Sequence, residues 1–148
     1  MTTTIEGMSE LVRRLPQHLA PNERVALQAL VERLHQLYGN NLLRVVLFGS
    51  KARGDFDDES DVDVLVVVRI PTADYWTHRK QISEAAYELE LEHNLVFSLL
   101  VMDEPGYDEM SRVNLLINRN INQDGIELWS LKLKVPTDQY LREVGAIE

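Results

Sequence analysis

A glycine–serine pair and two nearby aspartates are the residues of this chain whose types and spacing could do chemistry. Gly49 and Ser50 close an apolar run, and ten residues then separate Ser50 from Asp61. Asp61 and Asp63 flank a single valine and open a second apolar run. A glycine–serine turn can hold phosphate, and a carboxylate pair can hold Mg²⁺. The combination predicts chemistry on a nucleoside triphosphate.

The two aspartates are expected to share one face of a strand. Successive side chains on a strand point to opposite faces, so residues i and i+2 lie on the same face, roughly 6.6 Å apart. Like charges at this spacing repel each other, and a divalent cation between them removes the repulsion. Because the pair offers only oxygen ligands, Mg²⁺ or Mn²⁺ suits it better than Zn²⁺. Asp61 and Asp63 are therefore the predicted catalytic residues and metal ligands.

The glycine–serine turn is the predicted phosphate site. Gly49 lets backbone N–H groups approach an anion closely, and a helix beginning at Ser50 would add its free N–H groups and its dipole. The Ser50 hydroxyl is a further donor, and Lys51 and Arg53 are the nearest cations. Ser60, which directly precedes the aspartates, belongs to the same predicted nucleotide-binding set.

Taken one at a time, these features have simpler explanations. A lone glycine–serine pair at a strand end is usually only a turn, and a lone Asp-X-Asp is more often a solvated strand end or a helix cap. An acidic run such as the one over 55–63 is usually just exposed, and the four histidines have no ligand-like spacing. The joint order of strand, Gly-Ser, ten-residue gap and Asp-X-Asp is what indicates a nucleotide site.

The composition limits the classes of protein to which the chain can belong. With 148 residues, 45% of them hydrophobic, it is most simply one globular domain with a sizeable core. It contains no cysteine, which excludes disulfides and cysteine-ligated zinc and favours the cytoplasm. The formal net charge of −9 makes nucleic acid an unlikely partner, because binding many phosphates needs a basic face. A small nucleotide with Mg²⁺ remains compatible, since the metal offsets the repulsion.

No membrane partner is expected. No apolar run approaches the roughly 20 residues needed to span a bilayer. The first six residues lack the basic and apolar regions of a signal peptide. The whole chain, 1–148, is expected to form a single domain with its core at about 22–130, a short N-terminal helix over 5–15 and a C-terminal tail.

Apolar periodicity and turn residues predict the elements that must position the site. Helices are expected at 21–38, 50–54, 73–92 and 108–119, and strands at 42–48, 62–70, 95–102 and 125–129. The apolar face of the first helix should contain Leu27, Leu30, Val31, Leu34, Leu37 and Tyr38. The inner side of the long helix should contain Trp76, Ile82, Ala86, Leu89 and His93. This order favours an α/β fold in which helices pack on a small mixed sheet.

The residues around both motifs resemble those of the DNA polymerase β-type nucleotidyltransferase superfamily. Gly49-Ser50, a ten-residue gap and Asp61-Val62-Asp63 look like its signature. The fuller strings over 47–54 and 60–64 are especially similar to the minimal nucleotidyltransferases (MNT) of bacteria and archaea. Many of these are antitoxins encoded beside a helical HEPN toxin. The likeness spans roughly residues 22–130.

The resemblance implies a polymerase β-like fold and a two-metal nucleotidyl transfer from ATP. Asp61 and Asp63 would hold Mg²⁺, with Mn²⁺ also possible, and Gly49 and Ser50 would hold the β- and γ-phosphates. The metal would draw charge off the α-phosphate as the bond to pyrophosphate breaks. In the antitoxin branch, ATP donates AMP to a tyrosine of the partner toxin. The resemblance thus implies AMPylation of a HEPN-type toxin, in a possible homo- or hetero-oligomer.

One strand departs from the superfamily pattern. Superfamily enzymes commonly carry a third carboxylate on the strand that matches 95–101, where Ser98 is the only polar side chain. Glu90, Glu92 and Asp103 flank this strand. One of these acids could substitute, the acceptor could supply its own base, or turnover could be slow or absent.

Two other functions stay open alongside the enzyme. The acceptor substrate, the preferred nucleotide base, the oligomeric state and the genomic partner also stay open. The missing acid is compatible with a catalytically weak or inactive nucleotide-binding module that neutralises or scaffolds a helical partner by contact. Transfer to a small molecule such as an antibiotic ranks last. Enzymes of that kind usually carry an added acceptor-binding domain, for which little chain is left.

Overall fold

The computed structural model describes residues 14–55, 60–113 and 116–131. Nearly all of the predicted N-terminal helix, most of the acidic loop and the C-terminal tail lie outside these ranges. Within them the chain forms α1 (Pro21–Tyr38), β1 (Leu42–Phe48), α2 (Gly49–Arg53), β2 (Val62–Val68), α3 (Tyr75–His93), β3 (Phe97–Asp103), α4 (Glu104–Val113), α5 (Leu116–Asp124) and β4 (Ile126–Ser130). No helix of the described part combines the length and apolarity that a bilayer crossing requires.

The four strands form one mixed sheet in the order β3-β2-β1-β4. β1 runs antiparallel to β2 and to β4, whereas β2 and β3 are parallel. A parallel pair needs a crossover connection, which α3 provides. Residues 64–68 of β2 are all buried, as expected for an inner strand covered on both faces. The predicted α/β class with a small mixed sheet is confirmed.

Helices cover both faces of the sheet, so each inner strand contributes to two clusters of buried side chains. The larger cluster, on the α1 and α3 side, includes Leu27, Leu30, Leu34, Val64, Val66, Ile82 and Leu89. The smaller cluster, on the α4 and α5 side, consists of Val46, Leu65, Val67, Met110 and Ile121. The alternation along β2 follows from the two-residue period of a strand. Both faces of β1 and β2, the strands that carry the two motifs, are therefore packed against helices.

The first long helix begins and ends where its residues predict. Pro21 occupies the first turn, where its missing N–H costs nothing. The chain leaves the helix at Gly39, whose φ of +53° favours glycine. Leu37 is a correction, because it is 38% exposed while Tyr38 packs against the core. The apolar stripe passes through Tyr38 at the last turn and leaves Leu37 at its edge.

Trp76 is the clearest correction on α3, since it is 73% exposed rather than on the inner side. Each helical residue advances roughly 100°, so Trp76 lies roughly 240° from Ile82, whereas Tyr75 lies within roughly 20° of it. Tyr75 packs against the core and donates a 2.6 Å hydrogen bond to the Val101 carbonyl. The buried aromatic at this helix start is therefore the tyrosine.

The helix predicted over 108–119 has different bounds in the structure. The described residues are helical at Glu104–Val113 (α4) and Leu116–Asp124 (α5), so the helical region begins four residues earlier and ends five residues later than predicted, and residues 114–115 lie outside the described ranges. The Asp103 carboxylate accepts a 2.8 Å hydrogen bond from the Gly106 N–H and so caps α4. Pro105 is tolerated because it lies in the first turn.

Candidate active site

The end of β1 and the start of β2 bring the glycine–serine turn against Asp63. Phe48, the last residue of β1, pairs with Asp63 in the antiparallel ladder. Gly49 follows with φ +72°, and a Cβ placed on it would overlap the Asp63 Oδ2 atom. The Asp63 carboxylate thus rests directly on the Gly49 backbone. A residue with a side chain could occupy this position only if the carboxylate moved.

Asp61 and Asp63 form a carboxylate pair at the start of β2. Val62 between them is buried, while Asp61 is exposed and Asp63 is half-buried. This alternation places the two carboxylates on the same side of the chain, away from the core. The Asp61 charge is also close enough to raise the pKa of Asp63. The turn and the carboxylate pair therefore lie together.

The surroundings of Asp63 disfavour its charged form. Burial is the largest cause that raises the pKa of the Asp63 carboxyl. The neighbouring Ser98 hydroxyl lowers the pKa of Asp63, the Asp61 charge raises it, and the Arg53 charge lowers it. The net pKa lies above its ordinary value. A divalent cation at these two carboxylates would remove the like-charge repulsion, so the donor set fits such a metal.

Ser98 takes the position next to Asp63 on the neighbouring strand. The parallel ladder places it opposite Asp63, and its hydroxyl is close enough to lower the pKa of the Asp63 carboxyl. The only local signal for this role was that Ser98 is the single polar residue of an apolar strand. No group of three or more His, Cys, Asp or Glu side chains in the described ranges could hold a metal ion. Water and phosphate oxygens, which Mg²⁺ commonly keeps as ligands, could complete the coordination.

The three acids that flank β3 do not occupy the position opposite Asp63. Asp103 lies opposite Val68, five residues beyond Ser98 and roughly 16 Å along the strand, so it cannot reach the pair. Glu92 is exposed on the last turn of α3. Glu90 accepts a 3.1 Å hydrogen bond from the Phe97 N–H. It also lines a cleft that contains Asp61.

Lys51 has a carboxylate partner rather than an open position at the turn. Its ammonium is buried, and Nζ lies 2.6 Å from Oε2 of Glu23 on α1. The other oxygen of Glu23 accepts a 2.9 Å hydrogen bond from the Ala20 N–H. His18 Nε2 lies 2.5 Å from the Lys51 carbonyl oxygen. Lys51 therefore ties α2 to α1 and to the segment before it, which the sequence spacing did not indicate.

Lys51→Met is expected to lower the free energy of unfolding by about 3 kcal/mol, because it leaves the Glu23 carboxylate buried without its counter-charge. Urea unfolding followed by circular dichroism measures this. The double variant Glu23→Gln/Lys51→Met should recover most of the loss, since a glutamine can still accept the Ala20 N–H bond. Equal losses in the single and double variants would contradict the role of the ion pair.

Arg53 and Ser60 border the carboxylates. Arg53 is exposed, with Nε 3.1 Å from Asp55 Oδ2 and Nη1 3.8 Å from Asp124 Oδ2. Its charge also acts on Asp63. Ser60 is half-buried and lines the cleft beside Asp61. Ser50 follows Gly49 in α2, and its carbonyl accepts a 2.7 Å hydrogen bond from the Gly54 N–H.

A cleft of about 730 Å³ opens beside Ser60 and Asp61. One wall contains His18 and the Glu23–Lys51 ion pair. The opposite wall is formed by the C-terminal half of α3 and by residues 94–96. Sequence reasoning missed this cleft, because its walls come from segments that are tens of residues apart in the chain.

Comparison with known proteins gives concordant matches. The family model of a nucleotidyltransferase domain matches residues 27–137. Two proteins of Methanocaldococcus jannaschii, each provisionally named a protein adenylyltransferase, are similar to the chain. One is 30% identical over 108 residues, which cover 73% of this chain and 99% of the relative. The other is 41% identical over 63 residues, which cover 42% and 61%.

Two solved structures were also matched. A provisionally named nucleotidyltransferase from Sulfolobus solfataricus has 20% identity, coverage of 88% of this chain and 93% of that chain, and a TM-score of 0.47. A toxin–antitoxin crystallised with AMP-PNP has 18% identity, coverage of 79% and 86%, and a TM-score of 0.45.

Proposed function

The chain belongs to the nucleotidyltransferase family, and from that premise we propose that it transfers AMP from ATP to a hydroxyl of a partner protein. The observation that carries the proposal is the contact between Asp63 and the Gly49 backbone, with Asp61 beside them. This contact supports the proposal because two carboxylates that could bind a metal lie beside a turn that could accept phosphate. Nucleotidyl transfer needs these two components side by side.

Asp61 and Asp63 are the proposed ligands of the divalent cation, for which we propose Mg²⁺. The bound ion would neutralise charge on the triphosphate as the bond between the α-phosphate and pyrophosphate breaks. Asp63 is held against the Gly49 backbone on which it rests, with the Ser98 hydroxyl beside it. Its raised pKa means that the carboxylate gains from a cation more than an ordinary surface aspartate does.

The β- and γ-phosphates are proposed to bind at Gly49 and Ser50. Because α2 has only five residues, the turn itself, with its close backbone approach and the Ser50 hydroxyl, supplies the contacts. Arg53 can exchange Asp55 and Asp124 for phosphate at small cost, since exposed ion pairs are worth only about 0–1 kcal/mol. Lys51 is proposed to position α2 through Glu23.

A protein hydroxyl is the proposed acceptor. Its oxygen forms a bond to the α-phosphorus, the bond to the β-phosphate breaks, pyrophosphate leaves, and the hydroxyl proton passes to a base. A relative that the chain covers almost completely is named for protein adenylyltransfer, which supports this acceptor class. The motif strings over 47–54 and 60–64 resemble those of antitoxins encoded beside HEPN toxins. We therefore propose a HEPN-type toxin as the partner and this chain as its antitoxin.

The test of the function is transfer of label from α-labelled ATP, with Mg²⁺, to the protein encoded by the adjacent gene. The wild-type chain should label it, and Asp61→Asn should reduce the rate by about 100-fold because one metal ligand is lost. Asp108→Asn, at an exposed aspartate on α4, is the matched control and should retain the wild-type rate. No label transfer by the wild type would contradict the proposal.

Contact without transfer is the second candidate function. Ser98 stands beside Asp63 where superfamily enzymes commonly have an acid, which favours this candidate. It predicts calorimetric binding of ATP with Mg²⁺ but no pyrophosphate release with the adjacent gene product. It also predicts that Asp61→Asn/Asp63→Asn neutralises the partner as well as the wild type does.

A further inference from the structure

The cleft beside Asp61 continues onto an exposed apolar surface. Tyr87, Leu91 and Val96 line the cleft and are 49%, 72% and 54% exposed. We call these three residues the α3 patch. Tyr87 and Leu91 are four residues apart on α3 and therefore lie on the same helix face. We propose that the cleft and the α3 patch together form the docking site for the acceptor-bearing segment of the partner protein, an inference that rests on the proposed function.

The extent of the surface favours a protein segment over a small molecule. A nucleoside is small enough to bind entirely within a cleft of about 730 Å³. The α3 patch instead runs from the wall of the cleft to the outside of the helix, where Leu91 is largely in contact with solvent. Only an occupant that is larger than the cleft would cover both. A contiguous apolar surface next to a catalytic pair is typical of a partner interface.

The charges of the cleft define the chemistry of that segment. Glu23 and Lys51 neutralise each other, which leaves Asp61 and Glu90 as the other charged residues of the lining. Neither has a cationic ion-pair partner among the described residues. With Asp61 engaged by the metal, Glu90 remains to pair with a cation of the occupant. The segment should therefore carry apolar side chains and a lysine or arginine close to the acceptor hydroxyl.

Leu91→Asp in the full-length protein tests the docking site. The variant should raise the dissociation constant for the adjacent gene product at least about tenfold, because it places a charge at the centre of the apolar contact. Label transfer at subsaturating partner should fall in parallel and recover at saturating partner. The affinity for ATP with Mg²⁺, measured by calorimetry, should stay within about twofold of the wild type.

Leu116→Asp on α5 is the matched control, since Leu116 is 71% exposed and α5 packs on the opposite face of the sheet. It should leave partner affinity unchanged. Glu90→Gln keeps an oxygen for the Phe97 N–H bond and should weaken the complex about threefold, with a smaller dependence on salt.

Three outcomes would overturn the docking site. They are equal losses in Leu91→Asp and Leu116→Asp, no loss in Leu91→Asp, or a loss of ATP affinity with partner affinity intact, which would assign the cleft to the nucleoside. A wild type that binds the partner but transfers nothing contradicts the proposed function, while the affinity difference between the two variants still supports the docking site. A wild type that does not bind the adjacent gene product contradicts both.

Discussion

Gly49→Ala is expected to lower the rate of nucleotidyl transfer by about 100- to 1000-fold. The added Cβ would overlap Asp63 Oδ2, so the carboxylate must leave its place on the turn. A displacement of about 1 Å at a reacting centre can cost about 100-fold, and misplacing Asp63, the proposed metal ligand, adds to that loss. Single-turnover label transfer at saturating ATP and Mg²⁺ measures the effect. The backbone at φ +72° adds a stability cost of about 1–2 kcal/mol.

The variant Gly39→Ala separates displacement of the Asp63 carboxylate from backbone strain as the cause of lost activity. Gly39 also has a positive φ, +53°, but no atom lies within 4 Å of the position of its Cβ. The variant should therefore lose a similar amount of stability and keep the wild-type rate. If Gly39→Ala lost as much activity as Gly49→Ala, the defect would come from backbone strain alone. The Asp63 contact would then have no special role.

Asp63→Asn is expected to have opposite effects on activity and on stability. Transfer should fall by about 1000-fold, because the half-buried carboxylate that we propose as a metal ligand is lost. In the absence of metal, the free energy of unfolding should rise at pH 7.5, by no more than about 1 kcal/mol because solvent screens the charge of this half-exposed carboxylate. Asparagine removes a desolvated charge and its repulsion with Asp61.

The pH dependence of this gain has a definite sign. Because the pKa of Asp63 is raised in the folded state, the folded wild type takes up a proton before the unfolded chain does as the pH falls. The stability that the wild type loses to the charged Asp63 carboxylate is lost in full above the raised pKa. This loss disappears as the pH falls from the raised pKa to the ordinary aspartate range. The advantage of Asp63→Asn should shrink over the same window, and Mg²⁺ affinity of the wild type should fall there too.

Urea unfolding of both proteins, with chelator present, measures the difference in unfolding free energy between pH 7.5 and pH 4. Taking the difference cancels the titration of the other carboxylates, which both proteins share. A variant less stable than the wild type at pH 7.5, or a difference that does not change with pH, would contradict the assignment of Asp63 as a destabilised charge.

Neighbouring residues carried enough information to predict the elements around the site. The sequence predicts the start of α1 at Pro21 and its end before Gly39, because a helix terminus depends on the few residues that flank it. The continuous apolar run of β2 indicated an inner strand for the same reason. Trp76 shows the limit, because a shift of one residue in helical phase exchanges the buried and the exposed side.

The order of the motifs by itself determined that this chain joins a glycine–serine turn to a carboxylate pair, since Gly49, Ser50, Asp61 and Asp63 lie in consecutive segments. Only the tertiary structure decided what surrounds them. Ser98 faces Asp63 because β3 pairs with β2, and Lys51 meets Glu23 because α1 packs beside the turn. Such contacts join residues tens of positions apart. They are set by how buried surfaces pack, which no local periodicity encodes.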